Sequence, residues 1–75
     1  MRLTPWRLHI VVDGRPVTVA GEMLVPMEGQ PDFVVFSGML KAWGDGTAIS
    51  ADDKARILEA ILREAAAQKV RVEID

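Results

Sequence analysis

The chain has 75 residues, of which 49% are apolar, carries a net charge of −2 and contains no cysteine. That length suits one small domain, burying only about 60% of the surface its unfolded chain exposes, so a stability of about 5 kcal/mol is expected. The missing cysteines exclude a disulfide framework, a thiolate zinc site and a cysteine nucleophile together. No apolar stretch approaches the roughly 20 residues that a membrane helix requires, and Met1–Arg7 has no run suited to a signal peptide. A cytoplasmic location is therefore the expectation.

Taken in chain order, residues 6–12 and 17–25 each alternate apolar and mixed positions, with Asp13-Gly14 between them. Asp-Gly flanked by alternating apolar residues signals a hairpin. A two-residue loop pairs Val12 with Arg15, Ile10 with Val17 and Leu8 with Val19, and sets Trp6 against Gly21. A slip of one residue would bury Thr18 and Glu22, so turn and pattern agree. Pro16 has no amide hydrogen to give to a ladder, so its nitrogen should point away from the first strand. Pro26 to Pro31 reads as a loop, because two prolines and a glycine cannot continue a strand. Phe33-Val-Val-Phe36 is too short for a helix and reads as a strand. Gly38 to Trp43 suits a single helical turn, broken by Gly44-Asp-Gly46.

Ser50 precedes Ala-Asp-Asp53, where its hydroxyl can accept from the Asp53 amide and the acids suit the positive end of a helix dipole. From there to about Gln68, Ile57, Leu58, Ile61, Leu62 and Ala65 form one apolar stripe. Asp52, Arg56, Glu59 and Arg63 lie opposite, with Asp52–Arg56 and Glu59–Arg63 spaced as i, i+4 pairs. The closing Val70, Val72 and Ile74 alternate with charged residues, as in a strand with one face buried. The expected fold class is α+β: a small antiparallel sheet of three to four strands with one long helix packed on one face. The single domain 1–75 would comprise a hairpin at 6–25, a strand at 32–37, a helix at 51–68 and a strand at 70–74.

Charge is unevenly laid out. Residues 1–15 hold Arg2, Arg7 and Arg15 against Asp13. Residues 16–53 hold Glu22, Glu28, Asp32, Asp45, Asp52 and Asp53 against Lys41 alone. A negative middle disfavours nucleic acid, which needs clustered basic residues, and suits a basic protein partner. It is equally what a solubilising surface looks like.

Reactive constellations are missing from the pattern. His9 is the only histidine, and the hairpin register places it near Thr18 on the outer face, with no carboxylate or nucleophile beside it. No further ligands stand at metal-binding spacing, and no cofactor motif is present. Ser37 lacks a nucleophile elbow, and Gly44-Asp-Gly46-Thr47 lacks the lysine and glycine spacing of a phosphate loop. Enzyme activity is not expected. Trp6, flanked by strand alternation, reads as a packing anchor. Trp43, beside a Gly-Asp-Gly turn, reads either as core or as a partly exposed interface anchor.

Several stretches taken together carry a family resemblance. They are Gly21-Glu22 at a hairpin end, Phe33-Val-Val-Phe-Ser37, Leu40-Lys-Ala-Trp43, the helix start Ile49-Ser-Ala-Asp-Asp-Lys54, Ile57 and Ile61, and Val70-Arg-Val-Glu-Ile. In order and spacing the chain resembles, from about Trp6 to Asp75, a family of small predicted immunity proteins of bacterial polymorphic-toxin systems. The resemblance implies a non-catalytic protein that binds a cognate toxin domain, and the negative middle segment leads us to expect a basic one. Glu28, Asp32, Trp43 and Asp45 are the candidate partner-binding residues. The competing reading is a small structural or assembly module, as a homodimer or adaptor. No membrane or nucleic-acid partner is expected, and either a monomer or a homodimer fits.

Overall fold

Two positive-φ residues, Asp13 at 52° and Gly14 at 77°, turn the chain back on itself. That is the two-residue turn whose twist matches that of the strands it joins. The computed structural model describes residues 1–75. On either side of the turn run β2, Arg7–Val12, and β3, Arg15–Met23. Val12 pairs with Arg15, Ile10 with Val17 and Leu8 with Val19, the register the turn and the alternation imply. Beyond the ladder the Gly21 amide donates to the Trp6 carbonyl at 3.1 Å.

The sheet has five strands in the order β1-β2-β3-β4-β5, one more than the upper expectation, and it is mixed rather than antiparallel. The added strand is β1, Arg2–Leu3, paired antiparallel with β2 through Leu3 and Leu8. The turn between β1 and β2 is closed by the Thr4 amide donating to the Arg7 carbonyl at 2.9 Å. Pro5 fills the second position of that turn, where its fixed φ is favoured. β4, Phe33–Val35, pairs antiparallel with Met23 to Gly21. β5, Val72–Ile74, then lies parallel to β4, in the register Phe33 with Val72 and Val35 with Ile74. Parallel neighbours need a crossover, and the helix supplies it.

That helix, α1, spans Ala51–Ala67, with the Ser50 hydroxyl accepting from the Asp53 amide at 3.1 Å. It ends in a Schellman arrangement: the Val70 amide donates to the Ala65 carbonyl and the Lys69 amide to the Ala66 carbonyl, with Lys69 at φ 58°. Ile57, Ala60, Ile61 and Ala65 are buried, whereas Leu62, expected in the apolar stripe, is left half exposed. Glu59 and Arg63 stand 4.0 Å apart, but Arg56 pairs with Asp13 and Asp53 rather than with Asp52.

The core lies between α1 and one face of the sheet. Leu8, Val19, Phe33, Val35, Ile57 and Ile61 are fully enclosed there, and no polar or charged residue is buried. Phe33 lies against Gly21, whose missing side chain leaves room for the ring. A single 3₁₀ turn at Ser37–Met39 takes the place of the longer helical turn expected before Trp43. The following chain runs along the free edge of β3, where the Gly44 amide donates to the Pro16 carbonyl at 3.0 Å. Covering the edge in this way blocks unwanted strand pairing. The other sheet face is open, and there the His9 ring nitrogen Nδ1 lies 3.1 Å from the Thr18 hydroxyl.

Candidate functional site

The acids of the middle segment occupy two separate places, one at each end of β3. Asp45 lies at the end that holds the Asp13-Gly14 turn. There the Trp43–Gly46 turn closes with the Gly46 amide on the Trp43 carbonyl at 2.9 Å, and Gly46 has φ 88°. The Asp45 carboxylate accepts from the Thr47 amide at 2.9 Å and stands 3.9 Å from the Arg15 guanidinium. The Thr47 hydroxyl, then the Thr47 amide, and further the Arg15 charge hold its carboxyl below the ordinary 3.8. The same Arg15 lies over the Trp43 ring, 4.0 Å from its centroid, within cation–π range.

Trp43 itself is only 6% exposed and belongs to the core cluster. Of the two readings the sequence allowed, core packing is the one observed. An exposed-anchor role is corrected by that burial, because Arg15 and the turn cover the ring. The indole nitrogen is also enclosed and has no hydrogen-bond partner. At this end Asp13 and Asp53 meet Arg56, whose pKa is raised first by its hydrogen bond to Asp13. Most of the negative charge here is therefore already matched within the chain.

Glu28 and Asp32 lie at the opposite end of β3. With about 3.3 Å per strand residue, the nine residues of β3 separate the two ends by about 25 Å, so Asp45 and Glu28 do not form one patch. Asp32 is tied down: its carboxylate accepts from the Arg71 amide at 2.9 Å, and its own amide donates to the Arg71 carbonyl at 2.8 Å. Those bonds clamp the loop before β4 to the chain entering β5. Glu28 is exposed in a turn closed by the Gln30 amide on the Met27 carbonyl at 3.1 Å. Gly29 follows it at φ 81°, the left-handed position such a turn reserves for glycine.

This second end also carries a feature the sequence reading placed elsewhere. Trp6, expected to be a packing anchor, is 61% exposed. It occupies the tip of the Pro5-Trp6 turn, beyond the last pair of the β2–β3 ladder, and the helix does not cover it. The Thr4-Pro5 dipeptide was the available signal for that turn. Met23, Val25 and Met27 are exposed at the same end, and the Met23 amide donates to the Pro5 carbonyl at 2.8 Å.

No three His, Cys, Asp or Glu side chains converge as they would around a metal ion. No helix is long and apolar enough to cross a membrane. The fold and these surfaces define a small α+β domain with one helix laid over a five-stranded mixed sheet. The family model described as Immunity protein 74 matches residues 1–75, the whole chain, and the chain belongs to that family. Neither the curated proteins nor the solved structures compared with the chain give a match. Membership of an immunity family implies a toxin as partner.

Proposed function

We propose that this chain neutralises a cognate toxin by stoichiometric, non-catalytic binding in the cytoplasm of a bacterium that carries a polymorphic-toxin system. The observation that carries the reading is the family match over residues 1–75. The charge layout supports a basic toxin surface as the partner. From Pro16 to Leu40 the chain holds Glu22, Glu28 and Asp32 and not one lysine or arginine. Glu28 and Asp32 stand together at the loop end of β3, and we assign the partner-facing surface to that end. Asp45, 25 Å or so away by strand rise, and Trp43 act there as internal ties that hold the covering segment against β3. Rim charges act chiefly on association, by steering a partner of opposite sign.

The test is co-expression. Cells expressing a cognate toxin domain are expected to survive when this chain is supplied and to die without it. Death in both cases contradicts the reading. A homodimer or adaptor role would instead show as self-association with no protection.

A further inference from the structure

We propose that the exposed apolar end formed by Trp6, Met23, Val25 and Met27, with Glu28 at its rim, seats in an apolar pocket on the toxin domain, with a basic side chain where the pocket rim meets Glu28. The inference rests on the toxin-binding reading above and adds the anchors that would give such a complex its lifetime. Four of the seven exposed large apolar side chains gather at this end, Trp6 at 61%, Met23 at 44%, Val25 at 72% and Met27 at 64% exposure. They come from the β1–β2 turn and from the end of β3 with the loop after it, which the fold brings together. The Met23 amide is bonded to the Pro5 carbonyl, which places the end of β3 against the turn that carries Trp6. Leu62, also exposed, lines a separate open groove with Gly29, Pro31 and Arg71. Val11 and Met39 lie apart, one on the open sheet face and one in the 3₁₀ turn.

A folding explanation for this gathering is lacking, since these side chains contribute little to the core. Clustered exposed apolar residues of this kind mark interaction sites. Tryptophan at the centre of such a patch is the side chain most enriched among residues that dominate binding energy, and methionine adapts to irregular pockets. The positions are held in place: the Thr4–Arg7 and Met27–Gln30 turns are each closed by a backbone hydrogen bond, and Asp32 clamps the longer loop to Arg71. A surface held in its bound form loses less freedom on association. Glu28 is exposed at the corner of the second turn and suits a basic side chain at the partner's rim on that side, while exposed Arg7 adjoins Trp6 on the other.

The proposal is tested by binding kinetics against a toxin domain that the chain neutralises in the co-expression test, rendered inactive by substitution. Trp6→Ala and Met27→Ser are each expected to weaken binding tenfold or more, mainly through faster dissociation. Val11→Ser, equally exposed but on the open sheet face, should stay within twofold of the parent. Glu28→Lys should slow association and flatten its salt dependence. If Trp6→Ala melts well below the parent, Met27→Ser decides, because its side chain stands in a loop and is 64% exposed. Parent-like affinity in both apolar variants overturns this surface while leaving the toxin-binding reading intact. Failure of the parent to bind overturns both. Sedimentation of the chain alone closes the remaining case: a dimer abolished by Trp6→Ala would show that a second copy occupies the patch and would overturn the proposal.

Discussion

At Gly21 a single hydrogen stands where any other residue would drive a β-carbon into the edge of the Phe33 ring and the Val34 carbonyl. The ring is fully buried and the carbonyl belongs to the backbone of β4, so neither can withdraw cheaply. Gly21→Ala is expected to destabilise by about 3 kcal/mol or more, overpacking at its upper range. Gly38→Ala, with nothing near its would-be β-carbon, should leave the melting temperature almost unchanged; equal melting of the two variants would contradict the packing described. Asp45 offers a second test at this scale. Its folded pKa lies below 3.8, so its contribution to stability is in place above that value and is lost as pH falls through the lower, folded one. Because the Thr47 hydroxyl is the leading cause, Thr47→Val should move the Asp45 midpoint upward in an NMR titration, and an unmoved midpoint would assign the shift elsewhere. Trp6 shows how far a residue can be read without its neighbours. Its parity matches that of the inward-facing Leu8 and Ile10 of β2, but Trp6 lies outside that strand, where parity no longer decides burial. The β2–β3 ladder reaches only to Arg7, the residue after Trp6, where the turn at Pro5 takes over.

Among the elements, α1 carries the clearest test at its C-terminus. Lys69 sits at φ 58° in the position a Schellman ending usually gives to glycine. A left-handed conformation costs a β-carbon-bearing residue about 1–2 kcal/mol, offset in part by the greater freedom glycine loses on folding. Lys69→Gly is therefore expected to stabilise by about 0.5–1 kcal/mol and to raise the melting temperature by roughly 4 °C. A fall would mean that the Lys69 side chain supports the helix end in some way its exposed position does not suggest. The hairpin was the most legible element, because Asp13-Gly14 fixes one register and the alternation on both sides independently agrees. β1 was not legible, since two residues carry no period. The parallel pairing of β5 with β4 was equally hidden: each strand has three residues, and nothing local says which strand lies beside which. A strand, then a helix, then a strand is the pattern of a parallel crossover. The intervening segment 36–50, which covers the edge of β3, obscured it.

For the whole molecule, the negative middle of the chain does not become a single negative surface. β3 is long enough to carry Asp45 to one end and Glu28 with Asp32 to the other, and a linear charge count has no knowledge of that separation. The first end is bound up in internal pairs with Arg15 and Arg56, while the second combines acids with uncovered apolar side chains. On the proposed reading, that division assigns the partner-facing role to the Glu28 end. The chain belongs to the Immunity protein 74 family, and its proposed mode of action is to block a toxin by occupying it, one chain to one toxin domain. The most direct measurement titrates purified chain into an active candidate toxin domain from the same operon, if one is encoded there, following toxin turnover. Binding of this kind predicts a linear loss of activity that reaches its floor at one molar equivalent. Full toxin activity at tenfold excess would contradict the account, and so would complete inactivation by a small fraction of an equivalent, which would mean that the chain turns over.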